Sequence, residues 1–434
     1  PFGSETIQVG PKQTRSKMSS PAVSDPVGFR AFVHSLPKVE LHAHLSGSVS
    51  VETLAALDPQ FLGPDYKPVE GDAEASAALV ERMYKRPRNT ADCFSYFGSC
   101  SRVIVSLDRL RLVTLSVLKD FAAENTAYLE LRTTAKRFKR EDGMGETEFH
   151  EYVQTVQDAV LEFEEAEQAR GVVRDRVMVT RLLLSVDRGR VKTMEDALNQ
   201  LRVVKDLADG FRGFVVGIDV SGNPEADTMN TAVIPALLRF AEETKGAVGE
   251  PLQTFFHEFP LTVHTAESKF HAEEPRQVLE DSTKDREDVA DSESTKIINL
   301  KTRLNVQRLG HVTYLSACDR GHAKELGVCV ELCPSSNRVT AGLKDDLSNH
   351  HFPCWWADAQ NGGSQQKDVV ATDVAICTDD RGLFRCSLTD ELCSIAHAFG
   401  CTEKDIRELQ VQALRAAFLP QGQVRDTLEK LIGR

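Results

Sequence analysis

His42 and His44 stand two residues apart in Lys38-Val39-Glu40-Leu41-His42-Ala43-His44, between Leu36-Pro37 and Ser46-Gly47-Ser48. The stretch reads as a short strand. Side chains alternate faces along a strand, so both imidazoles point the same way, about 6–7 Å apart along the chain. Two imidazoles side by side are two corners of a transition-metal site. Taken alone, an H-x-H pair is equally well explained by two ordinary histidines near a turn. Further polar residues, however, fall at the ends of later apolar runs. Asp219 and Gly222 lie in Gly217-Ile218-Asp219-Val220-Ser221-Gly222-Asn223, and His264 and Glu267 in His264-Thr265-Ala266-Glu267. His311 ends Arg308-Leu309-Gly310-His311, and Asp379-Asp380 follow Ile376-Cys377-Thr378.

His42, His44, His264 and Asp379 together offer three imidazole nitrogens and one carboxylate. That donor set suits zinc, or another borderline divalent ion, with room for a water whose pKa the ion lowers toward ~7. A second ion would need a bridging anion, usually a modified lysine after the fourth strand. That strand offers Asp219 and no lysine. One zinc per chain is expected.

Positioning these groups takes a fold that gathers strand ends. Apolar, β-branched runs predict strands at 38–44, 127–133, 177–186, 214–220, 261–264, 304–311, 328–332 and 374–378. Helical patterns occupy 51–57, 75–119 with a break near Pro87, 147–170, 192–208, 230–246, 388–399 and 403–432. Eight strands alternating with helices describe a (β/α)₈ TIM barrel with inserted helices and loops, which brings every C-terminal strand end to one rim. The alternatives are an open doubly wound sheet or two α/β domains. No strand is followed by a G-x-G-x-x-G turn or a Walker loop.

Residues 28–434 are expected to form a single barrel domain. Residues 1–27 read as a disordered or non-native lead, with Met18 a candidate native start. Residues 270–295 read as an acidic, solvated inserted loop, and 361–367 as a flexible one. A formal net charge of −13 argues against nucleic acid or an anionic membrane as partner. An anionic substrate would need a local basic patch. Ten cysteines without a C-x-x-C pair suit reduced thiols in a cytoplasmic protein. No run reaches membrane-span length, and the N-terminus lacks a signal-peptide apolar core.

H-x-H after the first strand, H-x-x-E after the fifth, G-H after the sixth and T-D-D after the eighth resemble the adenosine deaminase family of the amidohydrolase superfamily. The resemblance covers roughly residues 36–420. Residues 36–45, 129–134 and 376–380 most resemble its branch that acts on N6-methyl-AMP and related nucleotides. It implies a zinc-dependent aminohydrolase that takes N6-substituted purine nucleoside monophosphates to IMP with release of the amine. The implied partner is that small purine nucleotide, and the implied state a monomer. Free adenosine is the alternative substrate, and a catalytically silent binding barrel the third reading.

The resemblance also assigns roles. His42, His44, His264 and Asp379 become the metal ligands. Glu267 gives a proton to purine N1 as the nucleophile adds at C6, and His311 orients that nucleophile and stabilises its charge. Asp380 holds N7, and Gly222 the ring through its backbone. Asp219 is structural, and Cys333-Pro334-Ser335-Ser336-Asn337 shapes the rim. His257, His271, His350 and His351 are expected at the surface.

Departures from the family bear on the 5′ end. Ser46 stands where nucleoside enzymes carry an aspartate, and a neutral residue tolerates phosphate. Thr133-Thr134-Ala135-Lys136-Arg137 replaces a threonine-proline-arginine run, and Ser101 a histidine. Substrate contacts are therefore expected from His44, Ser46, Thr133, Thr134, Ala135, Lys136, Asp187, Gly222 and Asp380.

Overall fold

Eight strands pair in parallel, each with its neighbours in sequence: β1 (Lys38–His44), β2 (Thr126–Thr133), β3 (Val179–Asp187), β4 (Val215–Ser221), β5 (Leu261–Thr265), β6 (Val306–His311), β7 (Cys329–Leu332) and β8 (Val374–Ile376). The ring closes where His44 N–H donates to Asp379 O (2.9 Å) and Asp379 N–H to His42 O (2.8 Å). Glu40 laces the same seam, accepting from Thr378 N–H and Oγ1–H. This computed structural model describes residues 25–433 apart from 70, 141, 246–253, 269–295, 299, 344–346 and 361–371. It is the (β/α)₈ barrel expected.

Barrel interiors of this kind are usually filled by branched aliphatic side chains. Here a chain of alternating charges fills the middle. Glu130 Oε2 accepts from Arg308 Nη2 (2.6 Å), and Arg308 Nε lies 2.7 Å from Glu331 Oε1. Glu331 Oε2 in turn meets Arg132 Nη2 (2.6 Å), and Arg132 Nη1 donates to Asp219 Oδ1 (3.0 Å). All five are fully buried. A charge buried this deeply is tolerated only when paired, and removing one partner of such a pair costs about 3–5 kcal/mol. Below, the Arg308 guanidinium stacks 3.6 Å from the Phe418 ring. That ring plugs the floor, and a Cβ on Gly217 would fall 2.3 Å from it.

The tract read as one broken helix at 75–119 is three helices, Ala73–Met83, Thr90–Val103 and Leu107–Ala123. Asp72, Asn89 and Ser106 each cap one through a side-chain oxygen. The pattern at 403–432 is likewise two helices, Glu403–Ala416 and Gln423–Ile432, because Pro420 and Gly422 interrupt it. The lead read at 1–27 ends sooner than expected: Asp25 caps the helix Pro26–Ser35, with proline in its first turn. Residues 1–24, with Met18, lie outside the described residues, as do the acidic loop 270–295, His271 and 361–367. All ten cysteines are unpaired. No described helix is long and apolar enough to cross a membrane.

Glu391, on the helix Leu388–Phe399, is buried and accepts from Ser335 N–H (3.0 Å), steadying the helix Pro334–Thr340 behind β7. Burial pushes its carboxyl up to about 7, against the Ser335 contact. The native protein thus keeps a proton that the unfolded chain, titrating near ~4.3, has lost. Stability from this group is full below the unfolded value and is lost as pH rises through about 7. Glu391→Gln is expected to gain about 1–3 kcal/mol at pH 8 and to flatten the decline between pH 5 and 8. Parallel melting-temperature profiles for the two proteins would refute this.

Candidate active site

On β1, His42 and His44 share one strand face with Glu40 and aim up into the rim. His42 Nε2 lies 3.0 Å from His264 Nε2 and 3.4 Å from Asp379 Oδ1. His44 Nε2 lies 3.1 Å from His264 Nε2 and 3.5 Å from the same Asp379 oxygen. Four donors from β1, the end of β5 and the turn after β8 therefore converge.

Their outward nitrogens show what they converge on. His264 Nδ1 is 3.1 Å from Val220 O, and a carbonyl only accepts, so the proton sits on Nδ1 and Nε2 carries a lone pair. His42 Nδ1 is 2.8 Å from the Glu331 carboxylate, and Asp219 stands 3.2 Å from His264 Nδ1. Carboxylates behind imidazoles are how metal-binding histidines are oriented. The charge chain in the barrel thus ends on two of the donors. Burial and the Arg132 cation push His42 down, but the Asp379 and Glu331 contacts overcome them and hold it up, at about 9. That pull on a proton is the pull a divalent cation would satisfy. Burial lowers His44 to about 4 and His264 well below its usual value, keeping both neutral as ligands must be. The residues fit a metal ion.

His311 stands beside this group. His42, His264, His311 and Asp379 also present one donor each within 4.8 Å of one another. His311 Nδ1 is already engaged by Asn337 Nδ2 (3.2 Å), and its Nε2 faces Glu267 Oε1 at 3.9 Å. Glu267 is held from behind, its Oε2 accepting from Arg188 Nη2 (3.2 Å). Arg188, almost wholly buried, also donates to Gly222 O and His264 O.

The strand ends are strained. Ala266, His311, Val312 and Asp379 have φ of 50°, 66°, 48° and 61°. Non-glycine residues in this left-handed region cost of order 1–3 kcal/mol each and cluster where surrounding structure enforces them. Packing at the strand ends is also tight: a Cβ on Gly310 would fall 2.9 Å from His42 Cε1. Gly310→Ala is expected to displace the His42 ring and weaken metal binding by about 10–100-fold, the range for residues that orient ligands. Unchanged affinity in a chelator competition would sink this account.

Ser46, Thr133, Thr134, Lys136, Asp187, Gly222 and Asp380 line one cavity together with His44, His264, Glu267, His311 and Asp379. Asp380 is buried, with Oδ1 unpartnered among the described residues. Burial first, then the Asp379 and Glu267 charges, push its carboxyl well up, so it can donate a hydrogen bond. Gly222 has φ +104°, and a Cβ would fall 2.2 Å from Asp187 Oδ1, so only bare backbone fits. Ala135 does not line this cavity. Thr134 and Lys136 on either side of it do, and Ala135 turns into an adjoining recess with Phe149 and Val203.

Several residues escaped the sequence reading. Arg190 lines the cavity, 3.0 Å from Asp187 Oδ2. After burial, its charge is the largest influence lowering Lys136. The dense Asp187-Arg188-Gly189-Arg190 turn after an apolar strand was the available signal. Phe94 and Phe97 of the helix Thr90–Val103 also line the cavity. His350 and His351, expected at the surface, turn inward: His350 is buried and bonds Asn337 Oδ1 (3.1 Å), and His351 Nε2 donates to His311 O (2.8 Å). The loop reaches them under the rim by way of the short helical turn Leu347–Asn349. His257 is exposed, as expected.

Residues 37–241 and 294–433 match the family model described as adenosine deaminase. The chain is 28% identical over 398 residues to an Arabidopsis thaliana protein named N6-mAMP deaminase, covering 89% of this chain and 94% of that one. It is 26% identical to the Homo sapiens N6-methyl-AMP deaminase, over 89% and 90% of the two chains. Among solved structures, Arabidopsis ADAL complexed with GMP superposes with a TM-score of 0.67 at 26% identity, over 93% of this chain and 98% of that one. An ADAL–IMP complex gives 0.64 at 26% identity, over 93% and 98%.

Proposed function

Because this chain belongs to the adenosine deaminase family, and is thus a hydrolase of non-peptide C–N bonds, we propose that its substrate is N6-methyl-AMP or a related N6-substituted purine nucleoside monophosphate. The products are then IMP and the free amine. The observation that carries this reading is the pairing of two features in one cavity: a converging three-imidazole, one-carboxylate set at the bottom and Lys136 with Arg190 toward the rim. The chain as a whole carries −13, and of the three cations lining this cavity Arg132 is tied to Asp219 and Glu331, which leaves Lys136 and Arg190 as the positive charge an anionic substrate would meet.

His42, His44, His264 and Asp379 would hold one zinc ion, which when bound supplies a water made acidic enough to react at neutral pH. The protein's own groups do the rest. Glu267, oriented by Arg188, delivers a proton to purine N1, which makes C6 electrophilic. His311 donates from Nε2 to the oxygen adding at C6 and offsets its developing charge. Asp380, protonated, donates to N7, and the Gly222 backbone holds the ring edge. Ser46, Thr133, Thr134 and Lys136, with Asp187 and Arg190 beside them, read the ribose phosphate. A monomer in the cytoplasm fits this reading, and ten unpaired thiols suit that reducing compartment.

The test is turnover of N6-methyl-AMP, AMP and adenosine side by side. N6-methyl-AMP should lead by orders of magnitude over adenosine. Equal rates on the nucleoside would make a nucleoside deaminase the better reading.

A further inference from the structure

The hydrogen bonds behind His311 run through two residues outside the catalytic set, Asn337 and His350. The chain of bonds begins with two unambiguous donors. Phe352 N–H donates to His350 Nδ1 (3.1 Å), so that nitrogen has a lone pair and His350, if neutral, is protonated on Nε2. His350 Nε2–H then donates to Asn337 Oδ1 (3.1 Å). The backbone N–H of Cys333 donates to the same oxygen (3.1 Å), so two independent donors fix which way the Asn337 amide faces. Its NH₂ is left pointing at His311 Nδ1, 3.2 Å away. An amide NH₂ only donates, so Nδ1 of His311 must accept.

We propose that Asn337 and His350 are positioning residues that hold His311 as the Nε2–H tautomer, presenting a donor and not a base toward Glu267 and the reacting centre. Burial supports this by lowering His350 to about 4, which keeps it neutral through the working pH range. The link has mechanical support too. His351, stacked 4.3 Å from His350, donates to His311 O and pins a residue held at φ 66°. The His350–His351 loop thus meets His311 at its backbone directly and at its ring through Asn337. The proposal rests on the reading of His311 as facing the nucleophile.

Asn337→Asp tests it with almost no change of shape. A carboxylate still accepts from Cys333 N–H and His350 Nε2–H, but it also accepts from His311, which draws the proton to Nδ1 and turns a lone pair toward the developing charge. In the metal-loaded enzyme, kcat is expected to fall by about 10²–10⁴-fold, as wrong-tautomer substitutions do, with KM and metal content little changed. Nitrogen-15 NMR of the histidines, with His311 identified by its loss in His311→Gln, should show Nδ1 unprotonated in wild type and protonated in Asn337→Asp. Wild-type His311 protonated on Nδ1, or a variant with wild-type kcat, overturns the proposal. If Asn337→Asp fails to fold, the wild-type spectrum alone decides. If no purine is turned over, the functional reading fails while the spectrum still reports the tautomer.

Discussion

Glu267→Gln is expected to lower kcat by roughly 10²–10⁴-fold, the usual contribution of a general acid–base group, while leaving close to one zinc per chain. Glu267 lies three residues past His264 but is absent from the converging donor set, whose contacts run among His42, His44, His264 and Asp379. Its carboxylate is oriented by Arg188 on one side and faces His311 on the other. An amide of the same shape keeps the acceptor for Arg188 but cannot transfer a proton, and it turns an NH₂ toward His311. Turnover and metal should therefore separate. A variant with wild-type kcat would remove Glu267 from the mechanism. Metal analysis of the same dialysed samples tests the single-centre reading, since two equivalents with full activity would contradict it.

The second large effect concerns the phosphate. Hydrogen bonds to charged groups contribute about 1.5–3 kcal/mol, so Lys136→Met should cut kcat/KM for N6-methyl-AMP by about 10–150-fold. Arg190 is half exposed and already shares its charge with Asp187, so Arg190→Met should cost less. The double variant should lose about 10³-fold on the nucleotide and little on adenosine. Ser46→Asp offers the converse: a carboxylate in the same cavity repels the phosphate and spares the nucleoside. Nucleotide and nucleoside falling together in these variants would end the phosphate-reading hypothesis.

The strands were legible because each is a short apolar run, and all eight appear within a few residues of where the sequence places them. The donor set was legible for a related reason: every member sits in or just past a strand end, beside a local signature such as H-x-H or T-D-D. What stayed hidden works across distance. His42 leans on Glu331, 289 residues away, and Arg308 on Glu130, 178 residues away. A lone Glu in Val328-Cys329-Val330-Glu331-Leu332 marks something unusual, but nothing in the run names its partner. His350 and His351 looked like surface residues because loop histidines usually are; only the fold carries them under the rim. Ala135 was placed in the cavity because its neighbours belong there, but past the end of β2 it turns into the adjoining recess.

The alternating charges beneath the metal site divide the molecule into a part that can change by single steps and a part that cannot. Replacing any one of Glu130, Arg308, Glu331, Arg132 or Asp219 strands a buried partner at a cost of several kcal/mol, a large share of the stability of an ordinary domain. The rim positions Ser46, Lys136 and Arg190 carry no such penalty, since each is open to the cavity. A lineage carrying this barrel can thus explore new 5′ ends one mutation at a time, while the floor that holds the ligands is inherited as a block.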